Sequence, residues 1–246
     1  RANNRDRWGW IDLKTKVILP LWVRKGNLPK LTGISGNMWN AIIQGDVYVD
    51  TSKNSVTRVA VFDKEKLVRL PEEMREGMQT GMAAAVWIVE HLDTYRREVE
   101  LKTVMLNYVN SKNGNKAVYT TDTYNKMLQS YRILQDFNKS GAALEDFAVS
   151  SFPVMPQTYR PMVKVNGRDS DPDFDWYYVQ IMNAARAVEQ NDNVSTQLAL
   201  YNAILAFTGL DASKSGTNEK YQNLLNFFSG KNKQSHGHIR QNMQSK

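Results

Sequence analysis

The spacing of apolar residues changes at Pro71, and this change limits the folds that the chain can adopt. Before it, the stretches DVYVD (46–50) and SVTRVAVF (55–62) alternate apolar and polar residues and are rich in β-branched side chains, as strands are. We expect them to form a hairpin joined by TSKN (51–54). From Pro71 to Asn110, apolar residues instead recur every three or four positions, which is typical of helices. The chain is therefore predicted to be α+β and mainly helical.

Two long helices are predicted in the middle of the chain. Pro71 and the two acidic residues after it mark the start of the first, because Pro fits a first helical turn and carboxylates complement the helix dipole. A turn is expected at NSKNGNK (110–116), and the second helix at 120–141. The two helices should pack as an antiparallel pair. Methionines that recur every four residues in the first helical stretch indicate a packing stripe; they are Met74, Met78 and Met82.

Shorter elements are predicted nearer the N-terminus. Pro20 interrupts the apolar run Val17–Val23, which should therefore be extended or bent. A short helix is expected at 37–45, with Asn37 as its cap and Gly45 as its end.

The second half of the chain alternates loops and helices. Pro153, Pro156 and Pro161 should force extended backbone in the strand-and-loop segment 144–172. A helical hairpin is predicted at 173–207, with its turn at QNDN (190–193). A polar loop (208–218), a short helix (219–228) and a basic tail without an apolar face should follow.

Charge and cysteine content exclude several classes of protein. The formal net charge of +7 favours a polyanionic partner. The chain has no cysteine, which excludes disulfides and Cys-ligated zinc or iron–sulfur centres within it. No apolar run approaches the roughly 20 residues that a membrane-spanning helix needs.

Three carboxylates lie within five residues in DPDFDW (171–176). One interpretation is the metal site of a hydrolase that uses Asp171, Asp173 and Asp175, but the sequence offers no convincing base or second group. The other interpretation is a helix N-terminus, since Pro172 suits the first turn and the acids complement the helix dipole. We predict the helix start.

Histidines and tryptophans give weaker candidates. HGH (236–238) has no cysteine and no acidic cluster beside it, so we expect no metal there. Tryptophans either stack on nucleic-acid bases or lie in the core, and we expect the core for most of these; they are Trp8, Trp10, Trp22 and Trp39.

Four stretches together resemble the N-terminal part of the β′ subunit of multi-subunit DNA-directed RNA polymerases. Residues 5–34 (RDRWGWIDLKTKVILPLWVRKGNLPKLTGI) are similar to the segment after the family's zinc ribbon, and 127–141 (MLQSYRILQDFNKSG) to the helix that returns from the clamp insertion. Residues 150–170 (SSFPVMPQTYRPMVKVNGRDS) are similar to the family's lid stretch, and 237–246 (GHIRQNMQSK) to Gly-Arg-Phe-Arg-Gln-Asn-Leu-Leu-Gly-Lys. The stretches occur in the family's order and span nearly the whole chain.

The resemblance implies an elongated clamp-type segment that is not an independent compact enzyme domain. Its parts are a clamp base with a β hairpin (1–70), a helical clamp region (71–147), a lid segment (148–172), a clamp helical hairpin (173–207), a rudder-like loop (208–218), and a helix with a switch-region tail (219–246).

The resemblance also implies which side chains contact nucleic acid. In the family the lid lies at the upstream edge of the RNA–DNA hybrid, the rudder supports the separated strands, and the switch region grips the template strand. The corresponding residues are Arg160, Lys164 and Arg168 in the lid segment, Lys214 in the rudder-like loop, and Lys231, Lys233, His238, Arg240 and Lys246 in the tail.

The family's catalytic magnesium loop, Asn-Ala-Asp-Phe-Asp-Gly-Asp, is not expected in this chain. DPDFDW (171–176) lacks the final Gly-Asp and follows the lid stretch, whereas the family's loop comes later. We therefore expect no catalytic and no metal-binding residue here, with the Mg²⁺ of the assembled enzyme bound by another chain. Sequence divergence and truncation favour a split-subunit polymerase of a large-genome (jumbo) bacteriophage.

The expected function is that of a β′-like subunit of this nucleotidyltransferase, which forms the clamp and guides template DNA and the RNA–DNA hybrid. Expected partners are the β-like and remaining β′-like chains, template DNA and the transcript, with a σ-like or phage-specific promoter-specificity subunit at 173–207 and no membrane. Such a protein acts in the cytoplasm of an infected bacterium, or is packaged in the virion. The alternative is a free-standing basic nucleic-acid-binding protein without polymerase activity, which predicts a stable monomer without large apolar surfaces for other subunits.

Overall fold

The computed structural model of this chain describes residues 7–113, 121–160, 163–165, 168–170, 173–210 and 223–225. The chain divides into two compact units. We call Arg1–Arg24 with Val149–Lys246 the terminal unit, and Lys25–Ala148 the middle unit. Helices dominate the described residues and the strands form small sheets, which confirms the α+β, mainly helical class. No helix in the described ranges is both long and apolar enough to span a membrane.

The terminal unit begins with a long strand. β1 (Gly9–Ile18) pairs with β5 (Ala148–Val154), and its apolar side chains from Ile11 to Ile18 are buried. The strand ends where Pro20 starts α1 (Pro20–Arg24). The predicted extended or bent run is therefore partly wrong, because Pro20 occupies the first helical position that its fixed φ suits.

The terminal unit continues with a helical hairpin, which confirms that prediction. α9 (Asp173–Gln190) packs against α10 (Val194–Thr208) and against β1. Asn193 caps α10, since its side chain accepts a hydrogen bond from the Thr196 N–H at 3.0 Å. Gly209 ends the helix in the left-handed conformation with φ +71°, as a helix C-terminus favours.

The middle unit opens with two helices. α2 (Leu28–Thr32) is followed by α3 (Gly36–Gln44), and Gly45 ends α3 with φ +82° as predicted. The predicted cap was wrong by two positions: Ser35 is extended and its Oγ accepts the Met38 N–H at 3.2 Å. The backbone of Asn37 is already helical.

The middle unit also contains a small sheet of order β3-β2-β4. β2 (Val47–Asp50) pairs antiparallel with β3 (Val61–Asp63), which confirms the predicted hairpin, and with β4 (Met78–Gln79) on its other edge. The connection runs through 51–60, longer than the four residues expected. Val56 forms a bridge with Leu92 instead of extending β3.

The long helix predicted from Pro71 is wrong. After α4 (Lys64–Arg69), the chain forms α5 (Glu72–Arg75), β4, α6 (Gly81–His91) and α7 (Thr94–Asn113). The Gly77 carbonyl accepts both the N–H and the hydroxyl of Thr51, at 2.7 and 2.8 Å, which places the next residues beside β2. The methionine stripe is consequently wrong as well: Met74 is exposed on α5, Met78 lies in β4 and Met82 is buried in α6.

The predicted antiparallel helix pair is confirmed by α7 and α8 (Thr121–Ser140). Tyr108, late in α7, stacks on Tyr124, early in α8, with ring centroids 4.8 Å apart. At the opposite ends, Asn138 Nδ2 donates to the Thr94 carbonyl at 3.3 Å and to Glu98 at 2.8 Å. α7 continues to Asn113, so the turn predicted at 110–116 is wrong for 110–113, and residues 114–120 lie outside the described ranges.

Arg97 on α7 joins two other segments of the middle unit. Its Nε donates to the Leu31 carbonyl at the end of α2 (2.9 Å), and its Nη1 donates to the Thr57 carbonyl (3.3 Å). The guanidinium lies directly against Gly33, where a Cβ atom would meet Nη2 and Cζ. Gly33 also has φ +71°, so both space and backbone conformation favour glycine there.

We predict that Gly33→Ala destabilises the chain by about 3 kcal/mol, of which about 1 kcal/mol comes from the left-handed backbone. Gly141→Ala is the matched control, because Gly141 has φ +72° and nothing within 4 Å of an added Cβ. Denaturant unfolding of the two variants separates the cost of the left-handed backbone from the cost of the clash with the Arg97 guanidinium. Equal losses of stability would show that the Arg97 guanidinium moves aside without cost.

Candidate nucleic-acid interface

The predicted lid segment starts where β5 ends. Pro156 begins a single 3-10 turn at Gln157–Tyr159, and two short strands follow, β6 (Val163–Val165) and β7 (Arg168–Ser170). They form an antiparallel ribbon, and α9 begins three residues after it. The strand-and-loop prediction is confirmed for the described residues.

Arg160 lies at the centre of a cluster that joins the end of β5 to the start of α9. Its Nε donates to the Met155 carbonyl at 2.7 Å, and its Nη1 pairs with Asp175 Oδ1. Its Cζ lies 5.4 Å from the centroid of the Tyr178 ring, within reach of a cation–π contact. The Tyr178 hydroxyl in turn accepts the Met155 N–H at 3.1 Å. We call these four residues the Arg160 cluster.

Burial and charge in the Arg160 cluster favour a structural role for the cation. The Arg160 side chain is 15% exposed and that of Asp175 is 38% exposed. Burial raises the pKa of the Tyr178 phenol, while the Met155 amide and the Arg160 cation oppose that rise. The phenol therefore stays neutral near pH 7. Contact between Arg160 and nucleic acid remains a prediction.

The start of α9 agrees with the predicted helix start. The helix begins at Asp173, as predicted, and Asp175 in its first turn pairs with Arg160. Among the residues that the structure describes, no group of three or more His, Asp or Glu side chains is arranged to hold a metal ion.

The other predicted contact residues are placed only in part. The ribbon register pairs Lys164 with Asp169 and Val165 with Arg168, so the two lid cations occupy adjacent rungs of one ladder. The remaining predicted residues lie outside the described ranges; they are Lys214, Lys231, Lys233, His238, Arg240 and Lys246. The predicted helix at 219–228 is described only at 223–225, of which 224–225 are helical.

The expectation that most of the four tryptophans lie in the core is wrong, because Trp39 alone is buried and Trp22 is half-buried. Trp39 is fully buried in α3 and its Nε1 donates to the Thr32 hydroxyl at 3.2 Å, so it is a core residue. Trp8 and Trp10, just before and within β1, are 56% and 66% exposed, which leaves base stacking open for them.

Two features of this region were missed in the sequence. The ribbon was predicted only as part of a strand-and-loop segment, although Asn166-Gly167 directly after the β-prone triplet Val163–Val165 is a hairpin signal. The pairing of Arg160 with Asp175 has no local signal, because the two residues are fifteen positions apart in the chain and the ribbon lies between them.

Comparison with known proteins shows that the chain is similar to subunits of DNA-directed RNA polymerases. No protein-family model matches the chain. It is 24% identical over 189 residues to the DNA-directed RNA polymerase subunit beta'-beta'' of Cyanidioschyzon merolae, with 73% of this chain and 10% of the relative covered. It is 25% identical over 201 residues to the DNA-directed RNA polymerase subunit beta' of Streptococcus pyogenes serotype M6, with 76% and 16% covered.

The chain is similar to a segment of RNA polymerase β′ subunits. This β′-like chain spans less than a fifth of the length of the curated relatives that it matches. The similarity agrees with the four resembling stretches, and it concerns distant relatives only.

We predict that Arg160→Met lowers the stability of the β′-like chain by about 2 kcal/mol, because it leaves the Asp175 carboxylate and the Met155 carbonyl without their donor. The partial exposure of Asp175 keeps the effect below that of a fully buried pair. Arg186→Met is the control, since Arg186 is exposed on the same helix, and it should change stability by less than about 0.5 kcal/mol. Equal urea midpoints for the two variants would contradict the structural role.

Proposed function

We propose that this chain is the clamp-forming N-terminal part of a β′-like subunit in a DNA-directed RNA polymerase, where it guides template DNA and the RNA–DNA hybrid. The observation that carries the proposal is the similarity to β′ subunits over about three quarters of the chain. Over that span, 24–25% of the residues are identical, which is more than one short motif accounts for.

The arrangement of elements in the terminal unit supports the proposal. The antiparallel ribbon with Lys164 and Arg168 directly precedes α9, as a lid precedes the clamp helices in the family that the chain resembles. The Arg160 cluster fixes the start of that helix. A ribbon with cations, held on a rigid base, suits contact with phosphates that is independent of base sequence.

The chemistry belongs to the assembled enzyme in this proposal. The RNA 3′ hydroxyl attacks a nucleoside triphosphate with the help of Mg²⁺, and another chain binds that metal. This chain's own residues hold and position nucleic acid. Its partners are then β-like and further β′-like chains, DNA and RNA, with a σ-like or phage-specific subunit at the hairpin 173–207.

The proposed setting is a split-subunit polymerase of a large-genome bacteriophage, acting in the cytoplasm of an infected bacterium or carried in the virion. The sequence divergence from the curated β′ subunits supports it. The alternative, a free-standing basic nucleic-acid-binding protein, draws on the net charge of +7.

Affinity purification of the chain from its native source tests the proposal directly. We expect β-like and β′-like chains to co-purify, one of them with the magnesium loop, and the complex to make RNA from a DNA template in a Mg²⁺-dependent reaction. Recovery of a stable monomer that binds nucleic acid but brings no polymerase chain would support the alternative instead.

We predict that Lys231, Lys233 and Arg240 contact template phosphates in the assembled enzyme. Each lost phosphate contact lowers the slope of log affinity against log salt by about one unit. The triple alanine variant should therefore bind template more weakly at low salt, about equally for all sequences, and with a slope smaller by about three.

A second triple variant controls for the lost charge itself. Arg132, Lys139 and Arg186 are exposed cations on α8 and α9, and their replacement by alanine removes the same charge elsewhere. Fluorescence anisotropy across a salt series should show a nearly unchanged slope for this control. If both triple variants behave alike, the tail contributes only net charge and the switch-region assignment is wrong.

A further inference from the structure

An exposed, mostly apolar stripe runs along α7. Tyr95, Val99, Leu106 and Val109 have exposed fractions of 64%, 65%, 55% and 43%, and exposed Lys102 lies between them. The five positions are separated by four, three, four and three residues. That is the spacing of the seam of a coiled coil, in which side chains recur every 3.5 residues on average. We call these five residues the α7 stripe.

The fold uses other faces of α7. Met105 and Tyr108 are buried, and Tyr108 stacks on Tyr124 of α8. Arg97 reaches carbonyls at the end of α2 and at Thr57. The hydroxyl of Tyr95 donates to the Asn138 carbonyl at 3.1 Å, which orients that ring at one end of the stripe. Packing among the described residues of the middle unit therefore does not account for apolar side chains at the stripe positions.

The heptad spacing specifies the shape of what would cover the stripe. An α-helix packed nearly parallel to α7 meets such a seam along its whole length, whereas a strand, a loop or a nucleic-acid backbone does not. From Tyr95 to Val109 the seam is about 21 Å long at 1.5 Å per residue. One partner helix of about four turns would cover it.

The central lysine argues against a second copy as the occupant. Lys102 is the middle of the five positions, so it would face the Lys102 of a second copy in either a parallel or a symmetric antiparallel pair. Like charges opposed in a helix interface are unfavourable, and a single charged core position is a known determinant of partner choice. Arg96 and Glu98 flank the seam with opposite charges, so Lys102 alone places a charge within it.

We propose that the α7 stripe binds one amphipathic α-helix of another polypeptide, with an Asp or Glu of that helix opposite Lys102. The apolar pairs Tyr95/Val99 and Leu106/Val109 supply the contact area, and Lys102 selects the partner and its register. The stripe belongs to the middle unit, whereas the predicted lid and tail segments belong to the terminal unit, and its binding does not depend on polymerase activity.

Binding of two synthetic helical peptides to the full chain tests the proposal. Both peptides have three heptads with Leu at the core positions, and they differ only in carrying Glu or Lys at the central core position. By fluorescence anisotropy, the Glu peptide should bind at least about tenfold more tightly than the Lys peptide. Lys102→Glu should reverse this preference, and Leu106→Glu should abolish binding of both peptides.

Asn107→Glu is the matched control, because Asn107 is exposed on α7 outside the stripe and receives the same new charge. It should bind both peptides as the unaltered chain does. Circular dichroism should show equal helix content for Leu106→Glu and Asn107→Glu. Equal affinities for the two peptides, or no binding, would overturn the proposal. So would a dimer in sedimentation that Leu106→Glu dissociates, or loss of RNA or DNA affinity in Leu106→Glu but not in Asn107→Glu.

Discussion

The packing around Phe207 determines how the terminal unit presents its predicted lid. This ring, 4% exposed near the end of α10, contacts Phe152 of β5 edge-on at 5.3 Å between centroids. It also contacts Phe174, Tyr177 and Tyr178 of α9 at 5.7, 6.1 and 5.2 Å. The residues on either side of segment 153–173, Phe152 and Phe174, therefore both pack against Phe207. Aromatic contacts of this kind are among the stronger ones in a protein core. They hold the two ends of the chain from which the ribbon extends.

The Arg160 cluster adds a polar tie to this aromatic core. A guanidinium that binds a carbonyl, a carboxylate and a ring holds the last residues of β5 against the first turns of α9. Arg160, one cation of the predicted lid, thus has a structural role, while Lys164 and Arg168 lie farther along the chain, on the ribbon. In the proposed function, phosphate contacts from Lys164 and Arg168 would set the position of the nucleic acid without reading its sequence. In the middle unit, the Arg97 guanidinium likewise connects separate segments, because its hydrogen bonds join α7 to α2 and to the loop before β3.

Local sequence signals predicted much of this fold. The αα-hairpin 173–207, the β2–β3 pairing and the α7–α8 pair follow from apolar periodicity and capping residues. The failures within 71–110 share a physical cause, which is competition from distant partners. Gly77 gives its carbonyl to Thr51 and Val56 bridges to Leu92, and neither contact is visible in the helical period that covers 71–110. For the candidate site, the sequence predicted the extended segment before α9 and the start of that helix, but not the partner of Arg160, because tertiary structure alone brings Asp175 to it.

The position of RNA relative to segment 157–170 tests the central claim most directly. RNA carrying one photoreactive uridine at successive distances from its 3′ end can be crosslinked in stalled elongation complexes of the purified polymerase, and the crosslinked peptides identified by mass spectrometry. A β′-like lid predicts crosslinks to 157–170 only when the uridine lies at the upstream edge of the RNA–DNA hybrid. Crosslinks to this segment at every distance, or at none in complexes that contain this chain and extend RNA, would contradict the account.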